Sequence, residues 1–114
     1  MHDVPAFLDF VLLPAFVRKA ESLLSEADII ELEQSIERNP RAGDVIAGTG
    51  GVRKLRFAIG GRGKSGGVRV IYYHRSAKGR VYLITVYSKK EQDNLTAQEK
   101  KRMKQITVAL DREA

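Results

Sequence analysis

Lys54 and Arg56 stand in the segment Val52–Ile59, where they alternate with Leu55, Phe57 and Ile59. Apolar residues at every second position mark a β-strand with one face turned to a core, so the two cations share the opposite face. Arg69 belongs to a second such run, Val68 to His74, in which it shares a face with Ile71 and Tyr73. A third run, Arg80 to Tyr87, ends in Tyr87-Ser88-Lys89-Lys90. Pairing these runs as a meander places Lys54, Arg56 and Arg69 on a single sheet face. Guanidinium forks grip phosphate oxygens bidentately, and clustered cations stabilise charge that builds up at phosphorus. Crowding among cations disfavours protonation, which equips a lysine in such a cluster to act as a general base. Tyr73 and Tyr87 are placed to stack on a base or to donate a proton.

Other chemistries are poorly supplied. The chain has no Cys and only two His, at positions 2 and 74, and His74 falls on the strand face opposite Arg69. Residues 45–90 contain no Asp or Glu, so carboxylate ligands for a metal are missing from the stretch that carries the cations. Gly63-Lys64-Ser65 has the ending of a phosphate-binding loop, yet Gly66-Gly67 leads into a strand pattern. Such a loop must open a helix, so a nucleotide triphosphatase is rejected. The glycines still let a phosphate backbone approach Arg62 and Lys64. RNA carries its own nucleophile, the 2′-hydroxyl. Its cleavage without metal or other cofactor requires a base, cations around the phosphate and an acid for the leaving oxygen. Lys54, Arg56, Arg69, Tyr87, Lys89 and Lys90 are the catalytic candidates, and Arg53, Arg62, Lys64 and Tyr73 the candidates for further RNA contact. The competing reading is a basic sheet face that merely keeps the protein dissolved.

The distribution of charge favours a polyanionic partner. A net charge of +6 over 114 residues conceals three zones. Residues 1–44 carry 4 cations and 9 anions, residues 45–90 carry 11 cations, and residues 91–114 carry 5 of each sign. Forty-six residues without a carboxylate form a field source that nothing local neutralises. At this length one domain with one core is expected, spanning residues 1–114. No apolar run is long enough to span a bilayer, and the first residues lack the basic lead of a secretory signal. A soluble cytoplasmic protein is expected.

The elements that hold the cations follow from periodicity and caps. Phe7 to Leu13 reads as a strand and Pro14 opens a short helix carrying Phe16, Ala20, Leu23 and Leu24. Ser25 and Asp28 form a capping box for a second helix with Ile29, Leu32 and Ile36 on one side, ended by Asn39-Pro40. A glycine-rich connector, Gly43 to Gly51, leads into the three strands, and Gly60 to Gly67 is a loop. Thr96 and Glu99 cap a last helix whose core side is Met103, Ile106 and Leu110. The order is strand, two helices, three strands, helix: an α/β (α+β) domain.

Three ordered blocks resemble the RelE/HigB toxins of bacterial type II toxin–antitoxin systems. They are Asn39 to Arg56 with its Gly48-Thr49-Gly50-Gly51, Gly63 to Tyr73, and Tyr87 to Glu91. The resemblance implies an antiparallel-rich twisted sheet with helices packed on one face and a basic concave face on the other. It also implies a ribosome-dependent endoribonuclease that cuts messenger RNA in the decoding site. Lys54 and Arg56 match the family's basic pair, and Arg69 its arginine at the scissile phosphate. Lys89 and Lys90 fall where the family places basic residues after the last strand. The second is often an arginine there, so Lys90 departs from the pattern and leaves the general acid open. The partners implied are the ribosome with its message, and a cognate antitoxin that often carries a helix-turn-helix domain and reaches DNA on the toxin's behalf. ParE-like gyrase poisons belong to the same superfamily, and a non-catalytic ribosome binder would use the same face.

Overall fold

The computed structural model describes residues 7–59 and 67–113. Five strands form one mixed sheet: β1 (Asp9–Leu12), β2 (Asp44–Val45), β3 (Arg53–Phe57), β4 (Val68–Arg75) and β5 (Arg80–Ser88), in the order β1-β5-β4-β3-β2. The helices are α1 (Pro14–Leu23), α2 (Glu26–Arg38) and α3 (Ala97–Asp111). The element order matches the sequence expectation, with β2 added from within the glycine-rich connector. Strands β2 to β5 pair antiparallel in succession, while β1 lies parallel to β5, and α1 and α2 carry the chain from β1 to β2 at the opposite edge of the sheet.

Caps set the helix limits. Ser25 Oγ accepts the Asp28 amide at 3.0 Å and Asp28 Oδ2 accepts the Ser25 amide at 2.9 Å. Thr96 and Glu99 repeat the reciprocal arrangement at the start of α3. Pro14 begins α1 without a side-chain cap, its missing N–H being one that no helix start can satisfy internally.

The centre of the sheet, β4 and β5, is buried on both faces. Val68, Val70 and Tyr72 of β4 point to one side, where they meet Phe16 and Ala20 of α1 and Leu32 and Ile36 of α2. Ile71 points to the other side, into a second cluster with Tyr82, Ile84, Tyr87, Leu95 and the α3 residues Met103 and Leu110. The helices therefore divide between the two faces, and the expectation that all pack on one face is corrected. An amphipathic stripe on α3 requires an apolar surface, and Ile71, Tyr82 and Ile84 offer one on the far side of the sheet.

β5 contains one residue more than β4 can pair. Ile71 lies opposite Thr85 but Tyr72 lies opposite Leu83, leaving Ile84 as the extra residue of a β-bulge. Its effect shows in side-chain direction: Leu83 and Val86, three apart, both face α1 and α2, and Ile84 and Tyr87 both face α3. Strict alternation would have sent Tyr87 to the opposite side.

The connector is fixed at two points. Tyr72, fully buried, donates to Pro40 O at 2.8 Å and accepts the Gly43 amide at 3.0 Å. A Cβ at Gly43 would meet Tyr72 Cε1 at 2.9 Å, so only glycine permits this approach. Further on, Thr107 of α3 donates to Thr49 O at 3.0 Å.

Candidate nucleic-acid interface

The register brings the sequence candidates together at one end of the α3 face. Arg56 lies directly opposite Arg69 across β3 and β4, and Arg69 lies opposite Tyr87 across β4 and β5. Lys54 is two residues along β3, on the same side. A groove of about 380 Å³ opens here, lined by Arg56, Phe57, Ala58, Gly67, Arg69 and Lys89. Arg56 is exposed, whereas Arg69 retains 5% of its surface.

Directly opposed cations repel across a strand pair. The structure answers with a carboxylate from outside the basic stretch. Asp93 Oδ1 accepts from Arg69 Nε at 3.0 Å. Lys54 Nζ donates to the backbone oxygen of Asp93 at 3.0 Å and to Asn94 Oδ1 at 2.7 Å. That hydrogen bond from Arg69, with Lys54 and Arg56 nearby, holds the Asp93 carboxyl below the usual carboxylate range. Tyr87 is 2% exposed and donates to Asp93 O at 3.3 Å, and burial with the Asp93 charge pushes its hydroxyl above the ordinary phenol value.

Asp93 and Asn94 were not among the sequence candidates. They lie 24 or more positions from Arg69 and beyond the carboxylate-free stretch, so neither periodicity nor charge zoning singles them out. The usable signal was negative: an arginine on an inward-facing position with no acid on its own or adjacent strands needs a partner from elsewhere.

Other candidates have different engagements. Arg53 Nη1 donates to Gly43 O at 2.7 Å and Arg41 O at 3.3 Å, tying down the connector rather than facing the groove. Tyr73 donates to Asp111 Oδ1 at 2.7 Å at the C-terminal end of α3, away from Arg69, and stacks on Tyr82 with ring centroids 6.4 Å apart. Both therefore lie apart from the groove lining, their polar groups serving the packing of connector and helix. Lys90 is exposed, next to the groove-lining Lys89. Arg62 and Lys64 lie outside the described residues. His74 lies opposite Val81 on the α1–α2 side, and burial with Arg53 and Arg41 nearby lowers its pKa.

Two comparisons bear on this arrangement. Residues 14–113 match the family model described as RelE toxin of the RelE / RelB toxin–antitoxin system. A mutant of the Escherichia coli toxin RelE, solved in the free state, superposes with a TM-score of 0.55 at 15% sequence identity. The match covers 76% of this chain and 88% of that one, which places the two in the same fold.

Proposed function

The chain belongs to the RelE toxin family, which makes it the toxin of a toxin–antitoxin pair, and from that premise we propose that it is a ribosome-dependent endoribonuclease acting on messenger RNA. The observation that carries the reading is the cross-strand pair Arg56 and Arg69 on a groove shared with Lys89. The antitoxin partner follows from the family, while the ribosome, the message and a cytoplasmic site of action belong to the proposal.

In the proposed reaction the 2′-oxygen attacks the adjacent phosphorus as the bond to the 5′-oxygen breaks, leaving a 2′,3′-cyclic phosphate. Lys54 is the candidate to take the 2′-hydroxyl proton. Arg69 and Arg56 stabilise the charge that grows on the non-bridging oxygens, where preorganised donors act without reorganising. Lys89, in the groove, is the candidate to return a proton to the leaving oxygen, and Lys90 is the nearest alternative. Tyr87, buried and bonded to the Asp93 carbonyl, supports the floor beneath Arg69.

The test is a defined message translated in a purified system with wild type and with Arg69→Ala. Wild type is expected to cleave only when ribosomes are present. Arg69→Ala should lose about 10²–10³ in turnover, as when one donor to a developing oxyanion is removed. Its loss in ribosome binding should be smaller, because the interaction strengthens in the transition state. An intact message with blocked supercoiling would mark a gyrase poison, and an intact message with ribosome association a non-catalytic binder.

A further inference from the structure

Resting on the nuclease reading above, we infer that Asp93 is a positioning residue for that reaction, aiming Arg69 into the groove while its neighbour Asn94 holds Lys54 beside it. The geometry assigns the role. A guanidinium has five N–H donors in a fixed fork. Asp93 engages the Nε edge of Arg69, and Arg69 still lines the groove with Arg56 and Lys89. The carboxylate thus fixes the side chain from one edge and leaves the remaining donors for an anion.

The segment that presents Asp93 is itself anchored. Glu91 Oε2 accepts from Lys19 Nζ of α1 at 2.8 Å, the Glu91 amide donates to Ser88 O at 3.1 Å, and Leu95 is buried in the α3 core. Gln92 Nε2 donates to Asn94 O at 3.0 Å and to Glu99 Oε1 at 3.1 Å. Thr96 then begins α3. Because the segment is pinned on both sides, one short turn sets Arg69 and Lys54 together. A phosphate entering the groove meets an Arg69 whose orientation is already settled, with Lys54 held beside it, the condition under which positioning contributes most to rate. The same segment also supplies the counter-charge that lets Arg56 and Arg69 face each other.

The experiment uses single-turnover cleavage of a defined message on programmed ribosomes, with ribosome affinity measured alongside. Asp93→Ala is expected to lower the cleavage rate on the order of 10- to 100-fold, the cost of misplacing a reacting group, with affinity changed much less. Asp93→Asn keeps an acceptor for Nε–H without the charge and should fall between. In nitrogen-15 spectra of the free protein, the Arg69 Nε–H signal should be resolved and slow to exchange in wild type, and lost in Asp93→Ala. This readout needs no cleavage and separates lost orientation from general loosening, which would move many signals. An Asp93→Ala protein that cleaves at the wild-type rate overturns the inference. One that cleaves faster also overturns it, making Asp93 a latch that blocks the groove. If wild type leaves the message intact, the nuclease reading itself fails, and the positioning role with it. The two failures are distinguished by the wild type, which cleaves in the first and leaves the message intact in the second.

Discussion

Tyr73 shows how one side chain can leave a site and take up another duty. Its position in the period-two pattern puts it on the face of Arg69, but its hydroxyl reaches Asp111 and its ring packs on Tyr82. Burial, then the hydrogen bond and charge of Asp111, raise its pKa to about 12. A tyrosine whose folded pKa lies above the unfolded value of about 10 contributes stability that is intact below pH 10. That contribution is lost as the pH climbs toward the folded value, because the unfolded chain releases its proton first. Denaturant midpoints measured across that alkaline window should fall in wild type and fall less steeply in Tyr73→Phe. Identical slopes would show that Tyr73 does not carry this dependence. Residue type and spacing made the face of Tyr73 legible. They did not reveal its partner 38 positions away, just as they did not reveal Asp93.

At the scale of elements, α3 does two things at once. Its side chains cover the β4–β5 face, and its start fixes the turn that carries Asp93. Thr96→Ala removes the acceptor for the Glu99 amide and is expected to cost about 1 kcal/mol of stability, the usual price of an N-cap. Urea denaturation checks this, with Thr96→Ser expected to retain most of the wild-type midpoint; an unchanged alanine variant would show the cap to be idle. Caps of this kind are written in four consecutive residues, which is why both helix starts at Ser25 and Thr96 could be read from sequence. The bulge at Ile84 could not. β5 is apolar on both sides, since helices cover both, so hydropathy carries no phase there to betray an extra residue. The face chosen by α3 was equally hidden, because its stripe records that it packs and not against which side. The parallel β1 strand was visible as a strand, but its pairing depends on a crossover that no local pattern encodes.

At the scale of the molecule, the sheet separates charge. Helices α1 and α2 carry six carboxylates and three cations on one side, while α3 carries Lys100, Lys101, Arg102 and Lys104 against two carboxylates on the side of Arg69. If roughly 6–10 phosphates are neutralised on binding, affinity for the programmed ribosome should fall by about 10³–10⁵ between about 50 and 200 mM salt. A flat salt response would remove RNA from the basic side. The acidic and basic zones were plain in the sequence, and the fold sets the acidic helices on one side of a slab while adding the α3 cations, from the charge-balanced zone, to the other. Acid on one side of a thin sheet and base on the other make the molecule an electric dipole. In the field of a polyanion such a body feels a torque as well as an attraction, and it turns its Arg69 side forward while still at a distance. Part of the orientational search is then completed during diffusion, before the surfaces touch.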